Sequence, residues 1–214
     1  MTRLIDVVLE DQSVLLYRMG ELTYQTLSLS IRAYIDGLTV QNQVRDMSDR
    51  LMIMAEKVED RTFELIARFQ PVASDLRTIK SYMKISYDFA RYGRYALDIS
   101  FINDQLNGLK ECNSDMRTFV EKMSAKVLQM VAISIDALHK LDINLARSIS
   151  QTEQEVDQMY IDHLQKLFDE ELTNSKCILS STLMARYLER IADHAVYVCE
   201  SILYIVTGEK NKLR

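Results

Sequence analysis

Arg186-Tyr187-Leu188-Glu189-Arg190-Ile191-Ala192-Asp193-His194-Ala195 lies within a run, Ser181 to Thr207, that contains neither glycine nor proline. Met184, Ile191, Val198 and Ile202 return at helical spacing on one side of that run, while Glu189 and Asp193 fall almost opposite. Four residues apart on a helix, the two acids have Cβ atoms roughly 5–6 Å from each other, so they repel unless a cation or a basic side chain lies between them. Taken alone, this helix reads as a long core element with a solvated acidic stripe on its outer side.

The rest of the chain repeats the pattern. Five glycines and one proline among 214 residues, with apolar positions recurring at three and four, predict an all-α fold. Helices are expected over Thr2–Gly37, over Val40–Phe69 with its stop at Gln70-Pro71, and from a cap at Ser74 and Asp75 to about Ile102. Residues 103–115 read as a link. Helices over Asp115–Leu141, Asp142–Leu172 and Asn174–Thr207 follow, closed by Gly208, with Lys210, Lys212 and Arg214 beyond. Met19 with Ser30-Ile31-Arg32-Ala33 matches Met123 with Ser134-Ile135-Asp136-Ala137 at a common offset. The expected architecture is two pseudo-symmetric antiparallel three-helix bundles, six long helices in all, with repeats over 1–106 and 107–214.

Charge and cysteine usage narrow the function. A net charge of −5 and a pI near 5.3, without a concentrated basic face, argue against nucleic acid. Cys112, Cys177 and Cys199 are odd in number and lack a CxxC spacing, so buried thiols in a reducing compartment are expected rather than a disulfide frame or a zinc site. With no secretory signal and no uncharged run long enough to span a bilayer, a cytoplasmic location is expected.

Glu153 and Asp157 repeat the Glu-x-x-x-Asp spacing one helix earlier, at the edge of an apolar face formed by Ile149, Val156, Tyr160 and Leu167. Two such pairs on adjacent helices supply four hard oxygen donors, a set suited to a divalent or trivalent cation. Glu56 and Asp60 have the same spacing and read as surface charge. His139, His163 and His194 add little as ligands, since His194 projects about 100° around the helix from Asp193 and reads as a partly exposed surface residue. The eleven Met and eleven Tyr read mainly as packing.

Gln70-Pro71-Val72-Ala73-Ser74-Asp75-Leu76-Arg77, Leu188 to Ala195 and Tyr204-Ile205-Val206-Thr207-Gly208-Glu209, with Arg18-Met19-Gly20, together resemble the PhoU family of phosphate-transport regulatory proteins. The resemblance covers essentially the whole chain. It implies two three-helix bundles, metal clusters held on bundle surfaces by Glu/Asp-x-x-x-Asp motifs, and a non-catalytic adaptor that restrains phosphate uptake and signalling. Its implied partners are a phosphate ABC transporter ATPase and a phosphate-sensing kinase; a homodimer is a further option. Glu153, Asp157, Glu189 and Asp193 keep the metal motif, and the implied metal tilts toward iron. In the first repeat Ala90 and Arg94 replace the two acids of one motif, and Ser48 and Met52 occupy the places of the other. A metal site is therefore expected in the second bundle only, with Arg94 near Asp46 or Asp49 substituting for a cation in the first. The competing readings are a metal-free scaffold, its acids paired with Arg186 and Arg190, and a carboxylate-bridged metalloenzyme.

Overall fold

The computed structural model describes residues 3–110, 112–169 and 174–213, and among them every regular element is a helix. α1 spans Leu4–Asp36, α2 Gln41–Phe69, α3 Ala73–Leu106, α4 Ser114–Lys140, α5 Ile143–Arg147, α6 Ile149–Asp169 and α7 Ser175–Thr207. The expected helix limits at Thr2 and Leu172, and Arg214, lie outside the described residues. α1, α2 and α3 pack on one another as one bundle, and α4, α6 and α7 as the other, with the short α5 wedged against α4 and α7. The halves join through α3 against α7 and α1 against α4.

Local chemistry explains the boundaries. Gly37 ends α1 in the left-handed region at φ 68°, and Asn113 caps α4 by accepting from the Met116 amide at 2.9 Å. Asp75 accepts from the Val72 amide at 3.4 Å and from both terminal nitrogens of Arg3 at 3.1 and 2.9 Å, which ties the chain's start to the start of α3. α3 runs to Leu106, four residues past the expected Ile102, because Asn103 is buried and donates to the Leu38 carbonyl at 2.7 Å, clamping the α1–α2 turn. The polar composition that suggested a link from residue 103 is the composition of a clamp. The middle helix of the second half departs from expectation by a break at Ser148, which separates α5 from α6.

The repeat is visible in burial and in hydrogen bonding. Met19 and Met123 are both fully buried, as are Ser30 and Ser134, and each serine hydroxyl donates to the carbonyl three residues back, Leu27 at 3.1 Å and Val131 at 2.8 Å. One apolar core, with Leu16, Phe89, Tyr92, Met130 and Ile191 among its buried members, runs through both halves. Gly20 brings α1 against α4: a Cβ there would lie 3.0 Å from an Ile135 side-chain carbon.

The cysteine expectation is overturned. Cys112 and Cys177 form a disulfide with Cα atoms 5.3 Å apart, leaving Cys199 as the buried free thiol. Sixty-five residues separate the partners in sequence, so spacing carried no sign of the bond; it arises because the link and the first turn of α7 meet at one end of the molecule. There, Tyr34 Oη and Ser180 Oγ lie 2.7 Å apart, and Ser180 Oγ donates to the Gly108 carbonyl at 3.1 Å.

Candidate metal centre

α6 presents Glu153 on the same face as Ile149 and Val156, one turn to either side of it, and both apolar residues are fully buried. Glu153 is thereby drawn to 3 % exposure, as is Asp193 on α7. Single oxygens of Glu153, Asp157 and Asp193 lie within 4.8 Å of one another. Three of the four expected ligands therefore converge. The fourth, Glu189, falls outside that group and accepts a hydrogen bond from Arg186 at 2.8 Å, while Arg190 donates to Asp193 at 3.0 Å.

The acids do not form the solvated outer stripe expected from the helical wheel. α7 packs against α3, α4 and α6 at once, so the side opposite its main apolar face is roofed by α6 rather than by water. Burial pushes the Glu189 carboxyl up from its ordinary range, Asp193 and then Asp157 act in the same direction, and Arg186 and Arg190 oppose them. The donor set suits a hard cation. Carboxylate oxygens on opposite sides of one ion at 2.0–2.6 Å stand about 4–5 Å apart, which the observed spread matches.

The corresponding place in the first bundle is built differently. Ser48 is 1 % exposed and Ala90 is buried, and a Cβ on Gly93 would lie 3.3 Å from Ser48 Cα, so α2 and α3 approach where the second bundle keeps acids. Outside this contact a groove of about 720 Å³ is lined by Met52, Glu56, Tyr87, Ala90, Arg91 and Arg94. The expected pairing of Arg94 with Asp46 or Asp49 is not formed: all three are exposed, and among the described residues no ion pair joins them. Arg94 acts instead on Asp98, one turn along α3, where it and Arg91 oppose the upward push of partial burial. Glu56 and Asp60 are exposed, as expected of surface charge.

His194 also corrects the sequence reading. It is 8 % exposed, with Nδ1 2.8 Å from Asp88 Oδ1 and Nε2 3.4 Å from Tyr95 Oη. Aligning the two motifs places Tyr95 opposite His194 in the repeat, so these residues meet across the pseudo-dyad between α3 and α7. Asp88 is buried on α3, which pushes its carboxyl upward against the opposing His194 contact. Partners 106 residues apart leave no spacing signal; the available hint was an aspartate amid the apolar positions of α3.

Comparison with known proteins fits this geometry. The family model described as PhoU domain matches residues 16–102 and again 120–202. The chain belongs to the PhoU family. Among relatives, the PhoU homolog of Pseudomonas aeruginosa, a phosphate-specific transport system accessory protein, is 32% identical over 206 residues, covering 94% of this chain and 84% of that protein. The Escherichia coli accessory protein PhoU is 28% identical over 201 residues, covering 89% and 80%. The crystal structure of PhoU from Pseudomonas aeruginosa superposes with a TM-score of 0.88 at 31% identity, over 95% of this chain and 99% of that one. PhoU from Streptococcus pneumoniae, at 23% identity, shares the fold with a TM-score of 0.84 over 97% and 99%. None of the described helices of this PhoU-family chain is long and apolar enough to cross a membrane.

Proposed function

We propose that this chain is a non-catalytic regulatory adaptor of phosphate transport and phosphate signalling, acting in the cytoplasm. Likeness over nearly the full chain to accessory proteins of a phosphate-specific transport system carries the reading. Its bundle faces dock the transporter's ATPase or a phosphate-sensing kinase. Tagged protein should recover transporter components from phosphate-replete cells, and a deletion strain should show altered phosphate uptake. No recovery together with unchanged uptake overturns the role. A cytoplasmic setting leaves Cys112 and Cys177 open to reduction.

At the second bundle, Glu153, Asp157 and Asp193 hold a hard divalent or trivalent cation of the iron class, with Glu189 as an outer acid. The cation offsets the mutual repulsion of buried carboxylates. Elemental analysis of purified protein and of an Asp157→Ala/Asp193→Ala variant tests this: metal is expected in the first and lost from the second, and equal content in both refutes the site. The hydrogen bonds from Arg186 to Glu189 and Arg190 to Asp193 favour one second reading, a metal-free scaffold in which arginines neutralise the acids. The metalloenzyme reading falls behind, because the relatives are named accessory proteins.

A further inference from the structure

Basic side chains from three segments converge outside the acidic cluster, toward the C-terminal end of α7. Gly208, at φ 76°, turns the chain out of the helix, and the tail folds back along α7 instead of leaving it. Two hydrogen bonds hold that return: the Leu213 amide donates to Glu200 Oε1 at 3.1 Å, and Ser150 Oγ donates to the Leu213 carbonyl at 2.6 Å. The Leu213 side chain also packs on the core. Between the tail and α3 lies a cavity of about 270 Å³. Lys80 and Lys84 line it from α3, Lys210 and Lys212 from the tail, and the floor is Ser201 and Tyr204 of α7.

Charge distribution sets this place apart. The chain has five more acids than bases, yet four lysines, all of them exposed, line one cavity whose only lining acid is Glu200, which is already engaged by the tail amide. Among the described residues none of these four lysines is in an ion pair, as is also true of most lysines elsewhere in the chain; what is particular here is that four of them line one cavity. Tyrosine rings steer two of them: Lys80 Nζ stands 6.0 Å from the Tyr204 centroid and Lys84 Nζ 5.4 Å from that of Tyr197. Arg77 adds a guanidinium beside Gly208, where a Cβ would lie 3.5 Å from Arg77 Cζ. Like charges held together by a pinned tail are unfavourable until an anion enters.

We propose that this cavity binds a small soluble anion bearing two or more phosphoryl groups, of which pyrophosphate is the simplest. Lysines hold phosphoryl groups as mobile point charges, and four of them outnumber the one glutamate that lines the cavity. Tyr204 and Asn211, which also line it, carry neutral donors. A cavity slightly below the usual range for drug-sized ligands favours a compact ligand over a large one. A lipid phosphate offers similar chemistry, and the vesicle arm of the experiment below separates it from a soluble anion. The inference stands on this pocket alone and is independent of which protein the bundle faces dock.

Isothermal titration of the intact protein with orthophosphate, pyrophosphate and ATP, in buffer without divalent cations, tests it. Pyrophosphate should bind saturably at one site per chain, more tightly than orthophosphate, with affinity falling as salt rises. Lys84→Ala/Lys212→Ala should weaken it at least tenfold, and Lys57→Ala/Lys122→Ala, which removes exposed lysines elsewhere, should leave it unchanged. Unchanged far-UV circular dichroism confirms that both variants fold. Absence of saturable binding, equal losses in the two variants, or orthophosphate binding as tightly as pyrophosphate overturns the proposal. So does co-sedimentation with phosphatidylglycerol vesicles in the absence of any soluble-anion binding.

Discussion

The two bundles share a fold and differ most at the places where their motifs correspond. At the α6–α7 contact the second bundle keeps Glu153, Asp157 and Asp193 close together, the first and last of them buried and Asp157 partly so, with Arg190 beside Asp193. At the α2–α3 contact the first bundle has Ser48, Ala90 and Gly93, and its helices close onto each other until a methyl group would touch backbone. One half keeps acids between its helices, and the other has a tight contact at Gly93 beside an open groove lined by Met52, Ala90 and Arg94.

The covalent tie belongs to the second half as well, and cutting it is the largest perturbation of the contrast. The Cys112–Cys177 bond closes a loop of 65 residues that encloses α4, α5 and α6, worth about 4 kcal/mol in the chain-entropy account. Cys112→Ser, or reductant added to the unaltered chain, should lower the unfolding free energy by that order in urea titrations. Hydrogen exchange should quicken in α4 to α7 more than in α1 to α3. A uniform change across both halves would mean that they unfold as one unit and differ only in local chemistry.

Next in size is the contact between the halves. His194→Ala leaves Asp88 buried without its ring partner, an arrangement that costs about 3 kcal/mol when one member of a buried pair is removed. Denaturation of the single variant measures it; a loss below about 1 kcal/mol would show that water reaches Asp88 easily. A smaller effect, confined to the second bundle, depends on pH. Burial, with Lys166 nearby, pulls the His163 pKa down from 6.5 to about 4. The folded ring stays neutral where the unfolded ring takes a proton, so the unfolded state binds more protons between pH 6.5 and 4, and stability falls as pH drops through that window. The slope should amount to about 2 kcal/mol after allowance for residual solvent access. It should flatten in His163→Phe, which keeps the stacking on Phe119 at a centroid distance of 4.3 Å.

The sequence carried the helical plan, because apolar periodicity, Gly37, Pro71 and Gly208 act locally. The acids at 153, 157, 189 and 193 were legible too, as spacing on two helices. Their burial was not: a wheel treats α7 as having one covered side, and only the packing of three neighbours shows that it has nearly none free. The same blindness hid Asp88 with His194, Cys112 with Cys177, and the lysine cavity, each assembled from residues far apart in the chain. Arg94 went wrong for a related reason. Electrostatic sense favoured a pairing with Asp46 or Asp49, but the close approach at Gly93 leaves Arg94 outside, acting on Asp98 along its own helix.

That close approach supplies the finest test of the contrast, because two expectations oppose each other in sign. Glycine within a helix is about 1 kcal/mol less favourable than alanine, so on backbone preference alone Gly93→Ala should stabilise the protein. Its added Cβ, however, would stand 2.9 Å from Leu51 Cδ1, 3.2 Å from Ser48 Oγ and 3.3 Å from Ser48 Cα. The leucine methyl can move, but the backbone of α2 has to shift, at a cost of about 1–3 kcal/mol for overpacking. A net loss of about 1 kcal/mol is therefore expected, read as a lowered thermal midpoint. The reciprocal change, Ala192→Gly in the second bundle, should also cost about 1 kcal/mol, since the equivalent helix there is spaced for a methyl group that is already buried. Stabilisation by Gly93→Ala would show that α2 and α3 are not held in tight contact, and the two bundles would then differ here in their side chains alone.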